Sequence, residues 1–222
     1  MEKPLAAKNR IHRSWYRAFV DGVFFRNPVL AGGLGLYLVL AGSRSLASAG
    51  VLSVLTFALM VPICWLGSIV GRRVAAWLRL PLAFLCTAAL YLPLSLLAAW
   101  LFPQVVQDWG LCGVLAAANS MILRRASRNA PEKAPMAALA DGAGSALGFA
   151  AVLLLVSAVW EVLAQLEASG GGAFSQAPVM VGLLVVAFLA ALRQYAWNSA
   201  RRARQGRPEK GRRGLVGWFW GN

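Results

Sequence analysis

This chain has little acid: eight Asp and Glu stand against 22 Lys and Arg, and one histidine, His12, lies in the amino-terminal arm. The three cysteines, Cys64, Cys86 and Cys112, show neither a CxxC pair nor a Cys/His ligand spacing, which argues against a self-contained zinc site. Each lies within or at the end of an apolar stretch, where a free thiol serves as a small packing residue. No nucleophile-base pair, phosphate-binding loop or carboxylate dyad occurs, so hydrolase and kinase chemistry have no footing. Charge of either sign is scarce, at 14% of residues, while 59% are hydrophobic and the mean hydropathy is +0.62. A soluble domain of 222 residues cannot place that composition at its surface, and the chain reads as an all-α polytopic membrane protein.

Apolar segments cover residues 27–42, 50–70, 80–102, 109–123, 136–163 and 178–195. All six are expected to be helical, because lipid leaves backbone groups no partner outside the segment. The gaps alternate in charge. The start through Arg26 is basic, the gap holding Arg44 nearly neutral, and that with Arg72, Arg73 and Arg79 basic. The gap with Asp108 is acidic, that with Arg124, Arg125, Arg128 and Lys133 basic, that with Glu167 acidic, and everything from Arg193 onward very basic. The positive-inside rule then places both termini and the second and fourth loops in the cytoplasm of a bacterial inner membrane. This placement also accounts for the net charge of +14 and the tail RRARQGRPEKGRR at 201–213. Anionic lipid headgroups, rather than nucleic acid, are the expected counter-charge. Residues 1–20 are basic and show no apolar core or small-residue cleavage site, so the first membrane segment is expected to act as its own insertion signal.

Two segments are short. PVLAGGLGLYLVLAG at 28–42 and LCGVLAAANSMIL at 111–123 would reach roughly 20 Å of a ~30 Å hydrocarbon core as continuous helices. Each opens one half of the chain, and division near Gln107 leaves three segments per half, pointing opposite ways. That is the pattern of an inverted 3+3 repeat, with half-helices at segments 1 and 4 that meet at the membrane midplane. The corresponding organisation is a basic cytoplasmic arm at 1–26, three-helix repeats at 27–106 and 107–197, and a basic cytoplasmic tail at 198–222. Gly142, Gly144 and Gly148, like Gly32, Gly33 and Gly35, are placed for close helix approach. Pro62 and Pro93 fall inside the second and third segments, where proline bends a helix or frees a carbonyl.

Asp141 and Glu161 are the acids of the fifth segment. They lie nearly a full span apart, so each falls near a water interface. Two readings stand: carboxylates marking helix ends, or members of an ion path. Asn119 and Ser120 interrupt the second short segment, either lining a shared cavity or, for Asn119, supplying an interhelical hydrogen bond. Trp15, Trp77, Trp100, Trp109, Trp197, Trp218 and Trp220 mostly flank apolar segments, as rings anchored at headgroup level do. The closing GLVGWFWGN is suited to the membrane surface.

The run NPVLAGGLGLYLVLAG resembles the first helix of the paired six-helix subunits of Rnf and Nqr electron-transport complexes, where Asn-x-x-Leu-Val leads into Leu-Gly-Leu-Cys-Pro. GLCGVLAAANSMILRRA resembles their fourth helix, with its pattern Gly-Ile-Phe-x-Pro-Leu-Ile-x-Thr-Asn-Cys. ALADGAGSALGFAAVLLLVSAVWEVL looks like their Ser-Ala-Leu-Asp-Gly helix, and the parallel covers residues 25–195. The resemblance implies the inverted 3+3 fold and the subunit type with its amino terminus in the cytoplasm (Rnf E or Nqr D). It also implies an oppositely oriented homologous partner with which an iron-sulfur cluster is shared. The cluster cysteines fall on Tyr37 and Ser120. Leu38 replaces the motif proline and Ala118 the motif threonine, while Asn119, Asp141, Gly142 and Glu161 are kept.

Phenol and hydroxyl oxygens are poor ligands for iron-sulfur clusters, so no cofactor or metal is assigned to this chain, nor any catalytic residue. No NADH, flavin or quinone site matches its residues. Two functions follow: a membrane subunit of an Rnf/Nqr-type ion-translocating electron-transport complex with altered or lost cluster ligation, or a redox-silent relative acting as a transporter or scaffold.

Overall fold

A computed structural model describes residues 19, 23, 27, 29–30, 33–109, 111–114, 116–168 and 178–205. Among them every regular element is helical: α1 (Leu36–Gly42), α2 (Leu46–Val70), α3 (Arg79–Leu101), α4 (Pro103–Trp109), α5 (Leu111–Val114), α6 (Ser120–Arg124), α7 (Pro135–Ala168) and α8 (Pro178–Gln205). A π-turn, Arg125–Asn129, and a 3-10 turn, Ala130–Glu132, join α6 to α7. Three helices, α2, α3 and α7, are long and apolar enough to cross a membrane, and α8 contains a shorter apolar stretch, Gly182–Tyr195. The helix α8 runs on past Tyr195 to Gln205 and so carries Arg201, Arg202 and Arg204 of the basic tail.

The centre of the fold is the pairing of α2 with α7. Leu52, Leu55, Leu59, Met60 and Ile63 of α2 recur every third or fourth residue and are buried, as are Ala146, Phe149, Val152, Leu153 and Val156 of α7. That period of three and four is one face of a helix. The remaining faces are equally apolar, with Val54, Phe57, Leu147 and Leu155 exposed. In lipid, apolar character cannot select the inner face, and small residues that admit a neighbour do so instead. Gly142 illustrates the selection: a methyl group there would stand 3.1 Å from Cys64 Cβ and 3.4 Å from the Met60 carbonyl oxygen. Small polar residues join it inside, with Ser48, Thr56, Ser68, Ser145 and Ser157 all buried. Cys64 is a packing residue at this contact, in line with expectation.

The start of α2 is fixed by Ser45, in extended conformation, whose Oγ accepts the Ser48 amide at 3.1 Å. The helix continues unbroken through Pro62, and α3 through Pro93. Only Ala83, Thr87 and Ala98 of α3 are buried, which leaves Leu85, Leu92, Leu96 and Trp100 facing outward. Trp77 and Trp100 are exposed as the belt reading expects, but Trp109 is not. It folds back at the end of α4, where its Nε1 donates to Ser48 Oγ at 2.6 Å. An indole pointing inward at a loop end finds its partner on a neighbouring helix instead of among headgroups.

The two short segments are helical in pieces, not single continuous helices. Segment 1 breaks at Gly33 and Gly35, with φ of +62° and +75°, before α1 begins. Segment 4 divides into α5 and α6 with a turn at 116–118 between them. Each break accounts for its own backbone groups. The Gly33 amide donates to Val29 O at 2.9 Å and that of Leu38 to Gly35 O at 3.0 Å; in segment 4, Ala116 donates to Gly113 O at 3.0 Å and Asn119 to Ala116 O at 3.3 Å. Irregular backbone at membrane depth is tolerable only when protein covers it and its polar groups are met.

Candidate functional site

The two breaks meet. A methyl group on Gly35 would lie 3.3 Å from Asn119 Oδ1 and 3.5 Å from the Phe149 ring. The junction thus joins segment 1, segment 4 and α7. Gly35 carries a left-handed conformation that any L side chain resists, and the space beside it is already taken.

Asn119 is wholly buried. Its backbone is extended and its Oδ1 accepts the Met121 amide at 3.0 Å, which caps α6. Among the described residues no hydrogen-bond partner meets its Nδ2. A capping amide that shows its donor end to an interior junction can hold an acceptor brought by another group.

Other residues pin the same pieces. Asn27 accepts the amides of Val29 and Leu30 at 3.0 and 3.4 Å and donates through Nδ2 to Gly148 O at 2.9 Å, fastening segment 1 to α7. Tyr91 of α3 donates its hydroxyl to Gly113 O at 2.6 Å, fastening α5. Ser157 of α7 donates to Ser43 O at 3.3 Å, just past the end of α1. A side chain holds each piece because the broken segments lack the continuous ladder that steadies a full span.

Tyr37 lies two residues beyond Gly35 in α1 and is 36% exposed, and Ser120, next to Asn119, opens α6 half-buried. Both flank the junction. The donors here do not fit the cluster that the resemblance implies. Cys64 is buried against Gly142, two turns of α7 away from Phe149, Cys86 lines a crevice between α2 and α3, and the side chain of Cys112 lies outside the described residues. A phenol and an aliphatic hydroxyl remain at the two ligand positions, and neither supplies the soft, charged sulfur that a cluster needs.

A second polar centre lies roughly 12 Å along α7 from Phe149. Asp141 is buried, and one of its oxygens, Oδ1, receives Arg125 Nη1 at 2.6 Å and Lys133 Nζ at 2.9 Å. Arg125 is buried too, while Lys133 is half-buried. Asp141 therefore does not mark a helix end in water, since protein surrounds it and two cations neutralise it. Ser145 Oγ donates to the Asp141 carbonyl at 2.6 Å, and Ser127 Oγ to Leu123 O at 2.7 Å. The connection that carries the cations is docked on α2: Ser68 Oγ donates to Lys133 O at 2.8 Å and Arg72 Nε to Pro131 O at 3.1 Å. Gly67 makes this docking possible, because a methyl group there would press within 2.6 Å of the Ala126 carbonyl oxygen. Glu161 is exposed on the same helix, and the structure does not bring it to Asp141 or Asn119.

The sequence places Arg125 in a basic loop, and the structure buries it. The signal was present in the count: with so few acids, a carboxylate at a helix start beside a basic turn has cations in excess. Phe149 left no signal among so many apolar neighbours.

Comparison with known proteins covers most of the chain. The family described as Rnf-Nqr subunit, membrane protein, matches residues 15–193. A protein of Pseudomonas paraeruginosa, named as the E subunit of an ion-translocating oxidoreductase complex, is 34% identical over 146 residues, covering 65% of this chain and 61% of that protein. Proteins of the same name from Cellvibrio japonicus and Aliivibrio fischeri are 32% identical over 150 residues and 28% over 162, covering 68% and 73% of this chain and 63% and 69% of theirs. The matched region thus spans between about three fifths and somewhat over two thirds of these relatives' length.

Proposed function

The chain belongs to the Rnf-Nqr family of membrane subunits, and from that premise we propose that it is a membrane subunit of an Rnf/Nqr-type ion-translocating electron-transport complex whose cluster ligation has been lost. The name its relatives carry, the E subunit of an ion-translocating oxidoreductase complex, supports the assignment. The junction of the two broken segments at Gly35 and Asn119 is the observation that carries it. A membrane frame built around that junction keeps the place of a relay while Tyr37 and Ser120 remove its ligands.

In this reading six segments form an inverted 3+3 repeat with residues 27–106 and 107–197 as its halves. The arm at 1–26 and the tail at 198–222 lie in the cytoplasm beside an inner membrane. An oppositely oriented homologous subunit faces the junction, and other Rnf/Nqr-type subunits complete the assembly. The charge alternation of the loops supports the orientation, and the two breaks opening the two halves support the repeat.

Tyr37 and Ser120 also favour a second reading, a redox-silent relative that retains the fold as a transporter or scaffold. One preparation separates the two. The chain is tagged, its membranes solubilised without oxygen, and the captured material assayed for partner subunits, iron and acid-labile sulfide. Capture of a homologous subunit together with other complex subunits supports electron transport, and capture of the chain alone overturns it. A stoichiometric cluster that disappears when Tyr37 and Ser120 are both changed to Ala would overturn the loss of ligation.

A further inference from the structure

Between α2 and α3, close to the loop that joins them, the surface opens into a crevice of about 220 Å³. Its walls include Leu66 and Val70 of α2 and Ala83 and Cys86 of α3, with Ala126 of the π-turn among its lining. One lining residue is charged: Arg79, the first residue of α3. From Arg79 to Cys86 the helix advances roughly 10 Å, so the apolar part of the crevice extends from a cation into the depth of the hydrocarbon. Leu66, Val70, Leu78 and Leu80 around it are exposed, which leaves its mouth open to the lipid rather than to water.

The charge at this end is one-sided. Arg73 is exposed in the loop, Arg124 at the end of α6 and Arg128 on the π-turn, which packs against both α2 and α3. Glu132 is the exposed acid there, and Asp141 is already held between Arg125 and Lys133. Arg79 Nε donates to Val74 O at 3.2 Å, and Arg72 reaches Pro131 and Lys133. Trp77, two residues before Arg79, is 75% exposed, the placement of an indole at headgroup level.

We infer that this crevice is a binding site for one anionic phospholipid, with an acyl chain lying along Leu66, Val70, Ala83 and Cys86 and the headgroup phosphate on Arg79. An apolar slot of this lining offers nothing to a polar solute and stays dry. A basic pocket between membrane helices pairs that slot with a phosphate-binding cation, and a guanidinium suits phosphate through its paired donors. The site goes beyond the electron-transport reading and stands or falls without it.

The test is native mass spectrometry of the detergent-purified full chain, with melting temperature as a second readout, after adding phosphatidylglycerol, phosphatidylcholine with the same acyl chains, or inorganic phosphate. Wild type is expected to keep one phosphatidylglycerol and to melt higher with it, while phosphatidylcholine and phosphate have no effect. Arg79→Gln should weaken phosphatidylglycerol binding at least fivefold, and Arg79→Lys should restore part of it. Cys86→Phe, which fills the slot from a half-buried position, should abolish retention with Arg79 intact. Equal retention of the two lipids, stabilisation by inorganic phosphate alone, or unchanged binding in Arg79→Gln would each overturn the proposal. If Cys86→Phe does not fold, the Arg79 series decides by itself.

Discussion

Gly35 faces Asn119 across the two halves of the chain: beside the left-handed backbone of one, where a methyl group would stand, lie the side-chain oxygen that caps the helix following the other and the Phe149 ring. Neither position tolerates much change, and the reasons differ. Gly35 is restricted by φ and by space, whereas Asn119 is restricted because its oxygen is already committed to the Met121 amide.

Two glycine substitutions separate the restrictions at the first break. Gly33→Ala meets open space and should cost only the left-handed penalty, about 1–2 kcal/mol. Gly35→Ala adds a methyl group 3.3 Å from Asn119 Oδ1 and should cost measurably more. Unfolding of the two variants in detergent checks the order, and equal losses would show that the contact with Asn119 is slack.

Removal of the carboxylate at the second centre should be strongly damaging. Asp141→Asn removes a carboxylate that both the buried Arg125 and Lys133 contact, and breaking such a buried pair costs about 3–5 kcal/mol. Lys133→Met, at a half-buried position, should cost about 1 kcal/mol or less. Titration with denaturant measures both, and a Lys133 variant as unstable as the Asp141 variant would contradict the assignment of Arg125 as the principal partner.

The indole of Trp109 offers a coupling measurement. Trp109→Phe and Ser48→Ala each remove the 2.6 Å hydrogen bond and should cost about 1 kcal/mol. In a double-mutant cycle the second change should add little to the first. Full additivity would mean that the two side chains do not interact.

The thiols differ in access. Cys64 is buried beneath Gly142, whereas Cys86 is half-buried in the α2–α3 crevice. A membrane-permeant maleimide should label Cys86 in the folded protein and reach Cys64 only after unfolding, as peptide mapping will show. Rapid labelling of Cys64 would indicate that α2 and α7 separate readily.

The long spans α2, α3 and α7 were legible because continuous apolar runs need only length and composition to be recognised. The short segments were legible as anomalies, but the places where they break were not. Gly33 and Gly35 carry a positive φ that many glycines of the chain do not need, and the turn before Asn119 is made of alanines, which favour helix. Packing overrides propensity there. The burial of Trp109 and Arg125 was not legible for a related reason: hydropathy and loop charge report the level of a residue in the bilayer, not whether a neighbouring helix covers it. Tyr37 and Ser120 were found from the motif alone, and the structure adds that they flank the junction.

The pairing of α2 with α7 has a consequence for biogenesis. A ribosome releases α2 ahead of α3 and both pieces of segment 4, and only afterwards the helix α7 that pairs with α2. Until Asp141 emerges, Arg125 and Lys133 lack the carboxylate that joins them in the folded chain. The carboxylate therefore acts as a late latch. A chain truncated before it would insert its early spans but leave uncovered the face of α2 that pairs with α7.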